Sequence, residues 1–229
     1  MQFVALISTE GVFALKNVRL FYTKNSRMRF VSHLDMTRFM TRIIRRAHLP
    51  VWYTEGFNPH LYLTFALPLS LGMESDYEVM DIRITDDTFE IGVIPDRLNE
   101  VCPPYIRFFD VCEPVLKAGA VAFADFVITF DDDGALCELL NKFFVSDSIV
   151  IEKKTKKGEI KFIEIVDKIV TAKAEILNGN TTLHITLPAG STDNLNPELI
   201  LSRFFESNNY YCYIITRTAI LDADMKNFK

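Results

Sequence analysis

The stretch VSHLDMTRFMTRIIRRAHLP, residues 31–50, decides how the rest of the chain is read. Ser32 and Asp35 stand three apart ahead of an apolar run, a variant of the capping box with Asp in place of Glu or Gln. Met36, Phe39, Met40, Ile43, Ile44 and Ala47 follow at helical spacing and share an arc of about 140°. Arg38, Arg42, Arg45 and Arg46 span about 100° on the other side. Pro50 keeps the helix from running on. The stretch therefore predicts one amphipathic helix, apolar on the buried face and cationic on the other.

Strand patterns flank this helix. Residues 18–22 and 28–31 predict two strands around a turn at 23–27. Residues 51–54 and 61–66 predict short strands. Residues 77–84 alternate, with Glu78, Met80, Ile82 and Ile84 on one face. Pro95 suits the first turn of a short helix, Pro103-Pro104 stops it, and residues 105–111 read as a further strand. The order β-α-β-β-α-β suits a ferredoxin-like sandwich, two helices on one face of an antiparallel sheet. The order then recurs: a strand at 123–130, a helix at 136–144, a strand at 148–152, and a hairpin of 169–176 with 181–187 around Asn178-Gly179. Asn196 caps a helix that has Pro197 at its first position, and a strand at 210–216 closes the pattern. The expectation is an α+β fold of two tandem ferredoxin-like half-domains with antiparallel sheets. Residues 1–16 would be an extension, 17–115 the first half and 116–229 the second. The repeat is one of element order, not of residues.

The chain has 229 residues, enough for one large core or two modest ones, and its net charge is −5. An acidic total argues against a protein that coats nucleic acid by bulk charge. The distribution argues differently. From Lys16 to Arg46 there are nine basic residues and one acid, Asp35, a local charge of +8 that leaves −13 for the remainder. The four cysteines form no C-x-x-C pair and no zinc-finger spacing. The opening residues lack the pattern of a secretion signal, and no apolar run has the length to span a bilayer. The reading is a cytoplasmic protein with free thiols and no membrane association.

Residues that carry chemistry concentrate between Arg27 and Ser75. Arg27, Arg29, Arg38, Arg42 and Arg45 offer two-pronged donors matched to phosphate or carboxylate. The bland alternative is a solvated helix face with Asp35–Arg38 as a local pair. Glu55, Phe57, Asn58 and His60 lie in a turn-rich loop, EGFNPH, near the aromatic Trp52 and Tyr53. Such a loop suits a clamp for a base or a peptide, while Phe57 and Trp52 could equally be core anchors. Glu74 and Ser75 end a second loop, 68–75. His33, Asp35 and His60 are the weak candidates for catalysis, and with Glu55 they would make a small enzyme site. His33 and His60 share no i, i+4 helix face with a carboxylate, so no metal is expected. Lys153, Lys154, Lys156 and Lys157 form a second basic patch, and His184 reads as an exposed sheet residue.

The patterns SHLD (32–35), EGFNPH (55–60) and PLSLGMES (68–75), with the arginine-rich helix between the first two, resemble the radical SAM-linked domain-of-unknown-function family. The resemblance is closest over residues 18–84 and loosens from 86 to about 120. It continues to the helix after Asn196 and to Arg217-Thr-Ala-Ile. The family's usual second proline after the loop histidine is Leu61 here. The resemblance implies a partner, a radical SAM protein encoded nearby or fused ahead of this unit. Three cysteine thiolates are needed for that chemistry, and this chain has no C-x-x-x-C-x-x-C, so the cluster would belong to the partner and no cofactor is expected here. The functional expectation is a non-catalytic accessory protein that recognises RNA (tRNA or rRNA) or another anionic substrate, with no DNA partner. The alternatives are a module that docks the radical SAM protein without touching RNA, and the small enzyme above.

Overall fold

The computed structural model describes residues 15–154, 158 and 160–229. Of the expected 1–16 extension, residues 1–14 lie outside the described residues, and Lys16 already opens the first strand, β1 (Lys16–Lys24). Next comes a short 3-10 turn, Ser26–Phe30, where a strand was predicted. Ser26 adopts a left-handed backbone, φ 54°, and its N–H donates to the Glu74 carboxylate, which turns the chain away from the sheet. Helix α1 (His33–Arg46) follows, with Ser32 as N-cap. Residues 51–54 contribute only isolated bridges, Val51 to Ile84 and Tyr53 to Leu61. Strand β2 (Leu63–Phe65) and strand β3 (Glu74–Ile84) come next, then α2 (Ile94–Val101) and β4 (Ile106–Cys112). Strand β3 begins three residues earlier than its alternation implied, so Glu74 and Ser75 belong to the sheet and not to a loop.

The second part runs β5 (Phe123–Phe130), α3 (Cys137–Phe144), β6 (Val150–Lys154), β7 (Ile160–Glu164), β8 (Thr171–Leu177), β9 (Asn180–Pro188), α4 (Pro197–Phe205) and β10 (Tyr213–Leu221). The β8–β9 hairpin turns at Asn178 and Gly179, both at positive φ, as that dipeptide demands. Among the described residues β6 and β7 pair only with each other, so the strand expected at 148–152 does not enter the main sheet. Of the lysine patch after Glu152, the backbone of Lys153 and Lys154 belongs to β6. Lys156, Lys157 and the side chains of Lys153 and Lys154 lie outside the described residues.

The sheets expected in two halves are one mixed sheet of eight strands, ordered β4-β1-β3-β10-β5-β9-β8, with β2 also beside β3. The join is a short parallel ladder in which Thr216 pairs with Glu74 and Arg217 with Ser75; the other ladders are antiparallel. Two apolar clusters fill the molecule. One lies between α1, α2 and the first strands, around Leu20, Met40, Ile44, Met80, Ile82 and Leu98. The other surrounds α3 and α4 and also takes in Phe21, Met73 and Val79 from the first part of the chain.

Candidate functional site

The arginine face of α1 is held by its own first turn. The Ser32 hydroxyl accepts from the Asp35 N–H at 3.2 Å and donates to the Asp35 carboxylate at 2.8 Å. Asp35 also accepts from Arg38 Nη1 at 3.1 Å. These hydrogen bonds from Ser32 and Arg38, and the positive charge of Arg38 and Arg42, hold the Asp35 carboxyl below its usual range. The carboxylate is thus already engaged. Arg42, Arg45 and Arg46 are exposed beside it, and among the described residues Arg42 and Arg46 form no ion pair. The cationic field from Lys16 to Arg46 is narrower than the sequence implied, because Arg19 and Lys24 are buried and Lys16 pairs with Glu113 at 3.3 Å.

Arg45 ties the helix to the second motif. Its Nε donates to the Tyr53 hydroxyl at 3.0 Å, and its guanidinium stands 5.4 Å from the Tyr53 ring centre. Tyr53 is the base of the 54–60 loop. The Thr54 N–H donates to the His60 carbonyl at 2.8 Å, and the His60 N–H donates to the Thr54 hydroxyl at 3.1 Å. His60 Nδ1 lies 2.9 Å from the Thr54 hydroxyl and 3.2 Å from the Asn58 carbonyl. His60 therefore closes its own loop. Gly56 supplies the backbone shape, φ 119°, that an L side chain would strain. At the tip Phe57 projects entirely into solvent, 106% exposed, so it is no core anchor. Trp52 is half-buried, with the Arg83 guanidinium 5.2 Å from its ring and 4.1 Å from that of Tyr62. Glu55 and Asn58 are exposed on the same loop.

Arg29 and Glu74 come together. Glu74 Oε1 accepts from the Ser26 N–H and from Arg29 Nη1, the latter at 3.4 Å, and the Gly72 N–H donates to the Arg29 carbonyl at 2.8 Å. Arg27 is exposed on the same 3-10 turn. His33 is exposed at the start of α1, its ring edge-on to Phe65 at 5.1 Å. Among the described residues no group of three or more His, Cys, Asp or Glu side chains is arranged to hold a metal ion. Ser75 is buried at the β3–β10 join, where its hydroxyl donates to the Arg217 carbonyl at 3.2 Å. Its role there is to seat the two strands.

Arg217 is the residue that the local reading passed over. It is buried, pairs with the buried Glu78, and donates from Nη2 to the Leu67 carbonyl at 2.7 Å. Lys24 is buried nearby. Burial pushes its ammonium below the ordinary lysine range, Glu78 opposes that shift and Arg217 adds to it. The sequence signal for Arg217 was a lone charged residue in the terminal strand YIITRTAIL.

The motif-bearing elements, β1 to β3, and most of the second part fall within one family model, whose description is uncharacterized protein conserved in bacteria (DUF2344) and which matches residues 17–197. The chain belongs to this family. The match begins in β1 and ends at the first residue of α4, so it contains both the arginine helix and the 54–60 loop. No curated protein matches the chain. Among the described residues no helix is long and apolar enough to cross a membrane.

Proposed function

We propose that this chain is a binding protein that recognises RNA through the arginine face of α1 and the Phe57 loop. The observation that carries the reading is the exposed cationic helix face whose single acid, Asp35, is already bonded by Ser32 and Arg38. An arginine row with a single acid among it attracts phosphate and matches it geometrically. The bond from Arg45 to Tyr53 links that row to a stiff loop with a bare phenyl ring, the kind of group on which a base stacks. Its work as an accessory to a radical SAM protein rests on the motif resemblance, and its place in the cytoplasm on the unpaired cysteine pattern. The strand orders β4-β1-β3, with β2 beside β3, and β10-β5-β9-β8 support reading each half as a ferredoxin-like unit.

The test is a titration against tRNA and ribosomal RNA at several salt concentrations. Binding should weaken steeply with salt, and R38A/R42A/R45A should weaken it across sequences and flatten the salt slope by roughly 2–3. Undetectable binding, or binding unchanged in the triple variant, overturns the reading. A second reading, docking of the radical SAM protein, is favoured by the exposed Phe30, Leu34, Leu71 and Phe57. It requires the two proteins to co-elute when co-expressed and to separate in Phe57→Ala with Leu34→Ala.

A further inference from the structure

Arg29 also lines a cleft that the motif reading did not foresee. The cleft has a volume of about 500 Å³, and every other residue in its wall comes from the second part of the chain. Tyr210 and Tyr213 form one side, with Thr129, Asp131 and Asn180 at the strand ends. A volume of that size lies in the range of small-ligand sites, roughly 300–1,000 Å³.

The aromatic side is built before any ligand arrives. Tyr213 is stacked on Phe205 with an interplanar angle of 13°, and its hydroxyl donates to Glu198 at 2.7 Å. Tyr210 meets Phe205 at 5.1 Å and Tyr213 at 5.9 Å, yet it remains 70% exposed. It therefore presents an unused ring surface on a rigid base. Arg29 spends one nitrogen on a long contact to Glu74 and lays its guanidinium over the Phe30 ring at 4.8 Å, while among the described residues Nε and Nη2 of the fork make no hydrogen bond and are left for an anion in their own plane. An inorganic anion alone would leave the tyrosine surface unused and would meet repulsion from Asp131. An apolar aromatic alone would make no use of the remaining Arg29 donors, of Asp131 or of Asn180. A ligand with an aromatic plane, neighbouring hydroxyls and a phosphate satisfies all of them, with a carboxylate as acceptor for ribose hydroxyls.

We infer that this cleft binds a nucleotide unit, its base on Tyr210, its ribose hydroxyls toward Asp131 and its phosphate toward Arg29. The inference extends the RNA reading, since Arg29 stands three residues ahead of the α1 N-cap and a strand following the arginine face would deliver one nucleotide here. A free nucleotide offers the same chemistry.

The experiment titrates the whole chain with adenosine 5′-monophosphate, its 2′-deoxy counterpart and a single-stranded hexaribonucleotide. The variants are Tyr210→Ala, Tyr210→Phe, Arg29→Gln and R38A/R42A/R45A. The inference requires the ribonucleotide to bind more tightly than the deoxynucleotide. Tyr210→Ala should weaken binding of the monophosphate about 5- to 150-fold, the range for loss of base–aromatic stacking, and Arg29→Gln should weaken it too. Tyr210→Phe, which keeps the ring, should retain most of the binding that Tyr210→Ala loses, and the triple arginine variant should weaken the monophosphate less than Arg29→Gln does. A hexamer that binds and is weakened by Tyr210→Ala identifies the unit as part of an RNA chain. If the monophosphate binds in a Tyr210-dependent way and the hexamer does not bind, the cleft stands and the RNA reading falls. If the hexamer depends on the α1 arginines while Tyr210→Ala changes nothing and the monophosphate is ignored, the cleft inference falls alone.

Discussion

Three ionisable side chains, Lys24, Glu78 and Arg217, are almost wholly buried at the join between β3 and β10, two cations against one anion. Burying charge is costly unless each group is paired and hydrogen-bonded. Arg217 achieves this through Glu78 and the Leu67 carbonyl, and Lys24 through a 3.3 Å contact to the Val31 carbonyl. Removing one member of such a pair strands the other. Glu78→Met and Arg217→Met should each lower stability by roughly 3–5 kcal/mol, whereas the double change Glu78→Met with Arg217→Met should recover most of that loss. Denaturant midpoints of the four proteins complete the cycle; additive losses would show that the pair is not coupled. Asp132 presents the reverse case. Burial raises its carboxyl, but the hydroxyl and N–H of Thr181 and the N–H groups of Leu136 and Gly134 outweigh that, and the net shift is downward. A carboxyl lowered in the folded state contributes stability that is complete above its unfolded value, about 4, and is lost as pH falls through the folded value. Asp132→Asn should therefore cost roughly 1–3 kcal/mol at neutral pH and should reduce the drop in stability of the native chain below about pH 4. Thermal melts at pH 3 and pH 7 check both points.

At the scale of elements, α1 depends on its first turn. Ser32→Ala removes the oxygen that accepts from the Asp35 N–H and should destabilise by about 1 kcal/mol, with Ser32→Thr, which keeps the hydroxyl that donates to the Asp35 carboxylate, close to neutral in an equilibrium denaturation. That helix was legible because cap, apolar arc and stop signal agree. The same holds for α4 behind Asn196 and Pro197, and for the β8–β9 hairpin at Asn178-Gly179. Reading failed where long-range partners decide. Ser75 closes a stretch of turn formers yet belongs to β3, because Arg217, 142 residues away, receives its hydroxyl. Residues 28–31 have the look of a strand, but Glu74 accepts from Ser26 and Arg29 and bends them into a 3-10 turn. The strand expected at 148–152 was given to the main sheet, and its partner β7 was not read, because local alternation does not say which sheet a strand joins. The site divides in the same way. The arginine face follows from helical geometry alone. The closure of the 54–60 loop by His60, and the entry of Arg29 into a cleft formed by β5, β9 and β10, follow only from the fold.

At the scale of the molecule, the β3–β10 ladder is only two residue pairs long, too short to join two independent domains by itself. The coupling comes from what surrounds it. Phe21, Met73 and Val79 from the first part share a core with α3, α4 and β9. Phe228 covers the buried Arg19 with its ring centre 4.3 Å from the guanidinium, and its carbonyl accepts from the Tyr77 hydroxyl at 3.3 Å. The Leu116 N–H donates to the Lys229 carbonyl at 3.0 Å. Removing the second part would expose Phe21, Val79, Glu78 and Lys24 together, an apolar face mixed with unpaired charge. Residues 17–115 alone should therefore not hold the folded state, and the whole chain should unfold in one transition. The one tryptophan, Trp52, lies in the first part and reports on it selectively. Asp132 lies in the second, at the turn between β5 and α3. If the halves unfold together, Asp132→Asn lowers the midpoint seen by Trp52 fluorescence as far as the midpoint seen by far-ultraviolet circular dichroism. A tryptophan transition left in place while the dichroism transition shifts would mean that the halves unfold separately and that the shared core does not couple them.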